Sequence, residues 1–255
     1  MIKKKKLSAC IVTYNNEDTI LGAVDSLLAF TENMDFTLYI SDNDSKDNTL
    51  EIIRKKYSDR QNLIILDNKK NLGFGHGHNA VLPILESEYH FIVNPDIVIN
   101  NETIPRIIQY LDENLDVGML CPKILNEDQT EQILPVRNPK FKYYVSRFFG
   151  IFPKIDDEYT MKYERNSDVL DIEFCTGCFM VIRTSIFKKL KGFDERYFMY
   201  CEDADLSREV NQVARVVMYR DANVTHRWER EWQTNKKILY IHAKSILKYF
   251  WKWKF

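Results

Sequence analysis

The run Tyr89-His90-Phe91-Ile92-Val93-Asn94-Pro95-Asp96 constrains this chain more than any other. Its apolar half is too short for a helix and reads as a strand buried on both faces. Proline cannot donate to a sheet ladder, so the strand ends at Asn94-Pro95 and leaves the Asp96 carboxylate at its carboxyl end. In open α/β sheets that edge is where ligands sit. A carboxylate there suits a hard divalent cation, commonly shared between one or two carboxylates and a substrate phosphate. Taken alone, Asn-Pro-Asp more often marks a solvated turn, and the rest of the chain has to decide.

Three earlier runs repeat the pattern. Leu7 to Thr13 is an apolar strand ending in Thr13-Tyr14-Asn15, and Ile20, Val24, Leu27 and Leu28 follow at helical spacing. Phe36 to Ser41 ends in Asp42-Asn43-Asp44-Ser45, with Leu50, Ile53 and Tyr57 behind it. Asn62 to Leu66 leads into Asn71-Leu72-Gly73-Phe74-Gly75-His76-Gly77-His78-Asn79. Ile104, Ile107, Ile108 and Leu111 mark the helix after the Tyr89 strand. Strands alternating with amphipathic helices predict a parallel sheet with right-handed crossovers. Beyond residue 120 the alternation loosens: Val117–Cys121, Cys178–Arg183 and Arg215–Arg220 read as strands, while residues 126–170 read as irregular, aromatic and basic.

With 36 Lys+Arg against 37 Asp+Glu in 255 residues, no global basic field exists, and nucleic acid is not an expected partner. No signal peptide pattern and no bilayer-length apolar run is present, so a cytoplasmic protein is expected. Cys175-x-x-Cys178 lacks the second pair of a structural zinc site and reads as buried strand thiols. The tail 236–255 is amphipathic, with Lys237, Lys244, Lys248 and Lys252 on one side and Ile238, Leu239, Ile246, Tyr249, Phe250 and Trp253 opposite. It has two readings: a helix docked on its own domain, or one in contact with the cell membrane's inner face beside anionic lipids.

Four strand ends therefore carry polar residues able to bind a ligand. Asp42 can accept hydrogen bonds from a base or ribose, or cap the next helix; Thr13, Tyr14 and Asn15 lie beside it. The glycines let the backbone approach a ligand closely, but Gly73-x-Gly75-x-Gly77 is not the dinucleotide-binding spacing. Glu202-Asp203-x-Asp205 places three carboxylates where a helix should start, and one of them can serve as a general base. His226, just after a strand, offers an imidazole to a cation on Asp96.

Together these pieces resemble glycosyltransferase family 2, the inverting GT-A enzymes, and within it the rhamnosyltransferase-like branch. The resemblance rests on Val12-Thr13-Tyr14-Asn15, Asp42-Asn43-x-Ser45-x-Asp47, Asn71-x-Gly73-Phe74-Gly75-x-Gly77-x-Asn79 and Asn94-Pro95-Asp96. It continues through Gly177-x-Phe179-x-x-x-Arg183 and Phe193-Asp194-Glu195-x-Tyr197-Phe198-Met199-Tyr200-x-Glu202-Asp203-x-Asp205-Leu206. Each piece is weak alone; their order along roughly residues 7–230 is what carries the assignment.

The resemblance implies an α/β fold of GT-A type: a Rossmann-like, mostly parallel sheet flanked by helices, with a C-terminal amphipathic helix. It implies a transferase domain over 1–230, with a nucleotide-binding half (1–121) and an acceptor-side half (122–230), followed by the tail 231–255. The nucleotide-diphosphate sugar donor would contact Thr13, Tyr14, Asn15, Asp42, Asn71, Gly75, Asn79 and Asn94. Asp96 would hold Mg2+ or Mn2+ on the diphosphate. Asn94 replaces the first carboxylate of the family's Asp-x-Asp motif, which makes His226 a candidate second metal ligand. Asp203, with Glu202 beside it, matches the catalytic base. After His226 a Gly/Ser-rich continuation is expected, yet the chain reads Arg227-Trp228-Glu229-Arg230, where Arg227 or Arg230 would supply charge. The expected donor is dTDP-rhamnose and the acceptor a lipid-linked cell-surface saccharide. The alternatives are a UDP-hexose or UDP-N-acetylhexosamine donor, or a sugar-nucleotide-binding module without catalysis.

Overall fold

The computed structural model of the protein describes residues 6–100, 102–150, 152–227 and 236–254. The strands are β1 Lys6–Thr13, β2 Asp35–Asp42, β3 Leu63–Asp67, β4 Tyr89–Val93, β5 Ile97–Ile99, β6 Val117–Leu125, β7 Val169–Asp171, β8 Phe179–Arg183 and β9 Arg215–His226. The helices are α1 Ile20–Thr31, α2 Thr49–Lys56, α3 Phe74–Asn79, α4 Thr103–Glu113, α5 Phe141–Phe149, α6 Pro153–Thr160, α7 Thr184–Lys189, α8 Glu202–Val210 and α9 Lys236–Trp253.

One sheet runs in the order β3-β2-β1-β4-β8-β6-β9-β5, with β7 also paired to β9. The first four strands are parallel, as their alternation with helices requires. From β8 onward the sheet is mixed: β8 runs antiparallel to both β4 and β6, and β5 runs antiparallel to β9. Every residue of β4 is buried, because alternate side chains enter two separate cores. Phe91 and Val93 join Ala9 and Ile11 against α1 and α4, while Ile92 joins Cys10, Val12 and Met180 on the other face. Each fully buried aliphatic or aromatic side chain contributes about 1.5–3 kcal/mol, which makes this central layer the stable platform for the strand ends.

Several expectations are corrected. The sequence reads residues 126–170 as irregular, yet they contain α5, α6 and β7. Gly150 ends α5 in the left-handed conformation and Pro153 opens α6, so the punctuation was present. What hid the helices is the lack of an aliphatic stripe: α5 is aromatic and α6 acidic, and they meet through single residues, Tyr143 and Tyr159, stacked at 4.2 Å. The division of the domain into two halves at 121/122 is not among these corrections; it lies within β6, Val117–Leu125. β9 reaches six residues beyond the expected Arg220, to His226, and there pairs with β5 at Ile97.

The tail helix docks on its own domain. Tyr249 is fully buried among Phe174, Tyr197, Cys201 and Ala204. Lys252 Nζ reaches Asp194 (2.9 Å), Asp205 (2.6 Å) and Glu209 (2.7 Å), and Trp253 Nε1 donates to Asp205 Oδ1 at 2.8 Å. Lys252 and Lys248, read from the sequence as lying opposite the apolar side, therefore lie on the docked face with it; Lys248 donates to the Arg196 carbonyl. The physical reason is the acidic patch on α8 and at Asp194, which a lysine at this place neutralises.

Candidate active site

The carboxyl ends of β1 and β2 lie side by side, with Thr13 opposite Asp42 in register. The loops beyond them are stitched together: Asn15 N donates to Ser45 Oγ (3.0 Å) and Lys46 N to Asn15 Oδ1 (2.7 Å). Asn15 adopts a left-handed conformation, φ 56°, which asparagine tolerates well. Asp42 is fully buried and accepts from Ser45 Oγ (2.5 Å) and Ser45 N (3.0 Å), so its carboxylate shapes this loop. Tyr14 and Asn15 are exposed beside it, leaving a ledge of polar groups at the edge where ligands bind.

The glycine-rich segment has a packing role within the chain. A Cβ on Gly73 would stand 2.0 Å from the Phe198 carbonyl oxygen, on Gly75 2.8 Å from Phe193 Cβ, and on Gly77 2.8 Å from Val12. The glycines make room for the chain's own segment 193–198 and for β1. Asn79 is used in the same way, donating to the Phe193 carbonyl (2.8 Å) and Glu195 (3.0 Å) and accepting from Phe193 N (2.8 Å). Asn71 Oδ1 accepts from Gly73 N at 3.1 Å. Gly75 and Asn79 thus fasten α3 to the segment that leads into α8, and Asn71 shapes the turn before α3.

That segment is strained where it matters. Tyr200 and Cys201 are consecutive non-glycine residues at φ 71° and 68°, directly before Glu202. Such residues cost on the order of 1–3 kcal/mol each and persist only where surrounding contacts over-determine them. Here Phe74 N bonds the Phe198 carbonyl (2.9 Å) and Ser245 Oγ the Met199 carbonyl (2.8 Å). The strain turns the chain so that α8 begins with its carboxylates at the helix amino end, where partial positive charge favours them.

Two consecutive residues, Gly177 and Cys178, connect the two acidic centres. Gly177 N donates to Asp203 Oδ2 at 3.0 Å, and the carbonyl of the next residue, Cys178, accepts from Asn94 N at 2.8 Å. The loop bearing Asp96 and the helix bearing Asp203 therefore flank the same two residues. The Cys178 thiol is pushed up by burial first and then by the negative charge of Asp96, with Asp203 adding to it, so both carboxylates act on one sulfur. All five cysteines are buried and unbridged, as read from sequence.

His226 Nε2 stands 3.2 Å from Asp96 Oδ2. Gln132 orients the ring from the other side: its Nε2 donates to the His226 carbonyl (2.9 Å), which leaves Oε1 facing Nδ1 at 3.2 Å. With the amide assigned that way Nδ1 carries a proton, and a neutral ring then points its Nε2 lone pair at a carboxylate oxygen. That juxtaposition needs either a second ring proton or a cation between the two atoms. Asp96 Oδ1 is buried with no hydrogen-bond partner among the described residues. Two cis ligands of an octahedral ion at 2.0–2.1 Å sit roughly 3 Å apart, close to the observed separation. Asp96 and His226 thus fit a divalent cation that takes its remaining ligands from a diphosphate and water. Among the described residues no set of three or more ligating side chains converges, which agrees with Asn94 replacing a carboxylate.

Burial, and then the charge on Asp203, push Glu202 up to about 8, and its Oε2 has no partner among the described residues. Burial also raises Asp203, while the amides of Gly177 and Ala204 pull it back. Glu202 therefore keeps a proton at neutral pH and leaves the charge to Asp203, which has the hydrogen-bond donors. Arg227 pairs with Glu127 at 2.8 Å; Arg230 lies outside the described residues. Sequence reasoning missed Gln132, and although Ser45 and Gly177 stand in its motifs it gave no role to Ser45 or to the backbone of Gly177 and Cys178. Gln132 sits in a stretch with no periodicity, and backbone groups carry no side-chain signal at all.

The comparisons agree with this architecture. A family model described as Glycosyl transferase family 2 matches residues 8–191, well over half of the chain. Rhamnosyltransferase WbbL of Escherichia coli (strain K12) is 26% identical over 204 residues, covering 77% of this chain and 73% of its own length. The N-acetylglucosaminyl-diphospho-decaprenol L-rhamnosyltransferase of Mycobacterium tuberculosis (strain CDC 1551 / Oshkosh) is 25% identical over 235 residues, 86% of this chain and 75% of that protein. Mannosyltransferase PcManGT from Pyrobaculum calidifontis, solved with GDP-Man and Mn2+, matches 98% of the chain with a TM-score of 0.68 at 14% identity, and this chain spans 64% of it. A GT-A sheet, with carboxylates at its strand ends and rhamnosyltransferases among its relatives, places the chain in glycosyl transferase family 2.

Proposed function

We propose that the chain transfers L-rhamnose from dTDP-rhamnose to a hydroxyl of a lipid-linked saccharide, with inversion at the anomeric carbon. In this reading Asp203 takes the acceptor hydroxyl's proton. The freed oxygen forms the new bond to the anomeric carbon as the bond to the diphosphate oxygen breaks on the opposite face. Single displacement from opposite faces inverts the centre. Glu202, protonated, leaves Asp203 as the ionised partner. Thr13, Tyr14, Asn15 and Asp42 form the nucleoside ledge, and Asn94 faces the diphosphate beside Asp96. Asp96 and His226 would hold Mg2+ or Mn2+, which when bound would supply Lewis-acid stabilisation of the charge on the departing diphosphate.

The observation that supports the reading is the pair Gly177 and Cys178, whose backbone donates to Asp203 through Gly177 N and accepts from Asn94 N, at the head of the Asn94-Pro95-Asp96 loop, through the Cys178 carbonyl. The rhamnosyl donor and lipid-linked acceptor are supported by the relatives, one of which is an N-acetylglucosaminyl-diphospho-decaprenol L-rhamnosyltransferase. Donor hydrolysis and transfer assays with dTDP-rhamnose, UDP-glucose, UDP-galactose, UDP-N-acetylglucosamine and GDP-mannose test it. Turnover of dTDP-rhamnose is the expected result; robust use of another donor with none of dTDP-rhamnose removes the rhamnosyl assignment and leaves the transferase one.

A further inference from the structure

We infer that the outward face of α9 docks on an anionic phospholipid bilayer. The inward face is fixed by Ser245 and Tyr249, which are buried, and by the Lys252 cluster, so the opposite side of the helix is committed to solvent. On it Tyr240 is 69%, Leu247 70% and Trp251 79% exposed. Their spacing puts them within one stripe of the helix, together with Lys236, Lys237 and Lys244, and Lys254 follows just past its end. The segment 236–255 holds six lysines and neither Asp nor Glu, although the whole chain carries a net charge of −1.

The apolar character continues onto α5. Tyr144 of α5 packs against His242 and Phe250 of α9, with ring centroids 5.8 and 6.0 Å apart. The same helix exposes Phe141 and Phe149. Leu115 apart, every large apolar side chain of the described residues that is exposed by 59% or more lies on α9, on α5 or between residues 152 and 163. A groove of about 510 Å³, lined by Phe250, Trp251, Lys254, Arg196 and Lys252, opens at the carboxyl end of the α9 face. Large aromatic and aliphatic side chains interleaved with lysines, with no acidic residue on the helix, match a headgroup layer. There the rings enter the acyl boundary and the ammonium groups meet lipid phosphates. No helix of the described residues is long and apolar enough to cross a membrane, so the contact lies along the surface.

The inference rests on α9 alone and not on the transfer chemistry. Its test is co-sedimentation of the full chain, without donor or acceptor, with phosphatidylcholine vesicles containing roughly 30% phosphatidylglycerol. Binding is expected, weaker by about tenfold or more on pure phosphatidylcholine or in about 0.5 M salt. Leu247→Gln with Trp251→Gln should also weaken it about tenfold or more, with unchanged thermal unfolding, because neither side chain packs inward. Failure of the native chain to bind, or equal binding by the double variant, overturns the inference. So does a concentration-dependent dimer that the same substitutions break in the absence of vesicle binding, which would assign the face to a second copy.

Discussion

Replacing Glu202 by glutamine isolates the proton that the site stores. Burial, then the Asp203 charge, raise this carboxyl from its ordinary 4.5 to about 8. The folded chain therefore binds a proton that the unfolded chain has already released. Stability from this group is complete below the unfolded value and is lost as pH rises through about 8. His78 and His90, lowered by burial, act in the opposite direction below their ordinary 6.5, so the informative window begins there. Between about pH 6.5 and pH 8.5 one proton is shed over roughly 1.4 effective pH units, which at 1.36 kcal/mol per unit costs about 2 kcal/mol. For a chain of this size that is a drop of roughly 4–8 °C in Tm. Thermal unfolding in matched-ionic-strength buffers should show the drop in the native chain and a nearly flat profile in Glu202→Gln. Parallel profiles for the two proteins would refute the claim that Glu202 is the protonated member of the pair.

Two further outcomes follow from particular contacts. Lys252→Met leaves Asp205 nearly fully buried with only Tyr197 and Trp253 as donors, and the loss should be about 2–4 kcal/mol, read by urea unfolding. An effect below about 0.5 kcal/mol would mean that the α9 clamp is ornamental. Asp96→Asn should abolish the Mg2+- or Mn2+-dependent part of nucleotide-diphosphate binding in calorimetry while leaving metal-independent nucleoside binding in place; unchanged metal dependence would remove Asp96 from the ion's ligands.

The parts of the fold legible in the sequence are those where local physics and tertiary context agree. β1, β2 and β4 are buried on both faces, so continuous apolar runs announced them and the polar residues at their ends. β5 was unreadable because three residues show no periodicity, and its pairing of Ile97 with His226 is a long-range event. That pairing nevertheless places His226 beside Asp96, a proximity proposed from chemistry rather than spacing. The glycines at and within the start of α3 were legible only in part. A missing Cβ signals a close approach, but the sequence does not say of what, and the structure puts the Phe198 backbone and the side chains of Phe193 and Val12 there. α5 escaped because Phe and Tyr are indifferent helix formers whose placement is decided by packing, and α6 because its eight residues, three of them acidic, show no apolar stripe.

The central claim, that Asp203 is the base and takes no part in holding the donor, has one direct test. Transfer rate and donor affinity are measured side by side for the native chain and Asp203→Asn, an isosteric change that keeps an acceptor oxygen for Gly177 N. The account predicts transfer reduced on the order of 10²–10⁴-fold with nucleotide-diphosphate binding within about threefold of native. Full transfer by the variant, or loss of nucleotide binding in step with transfer, would contradict it.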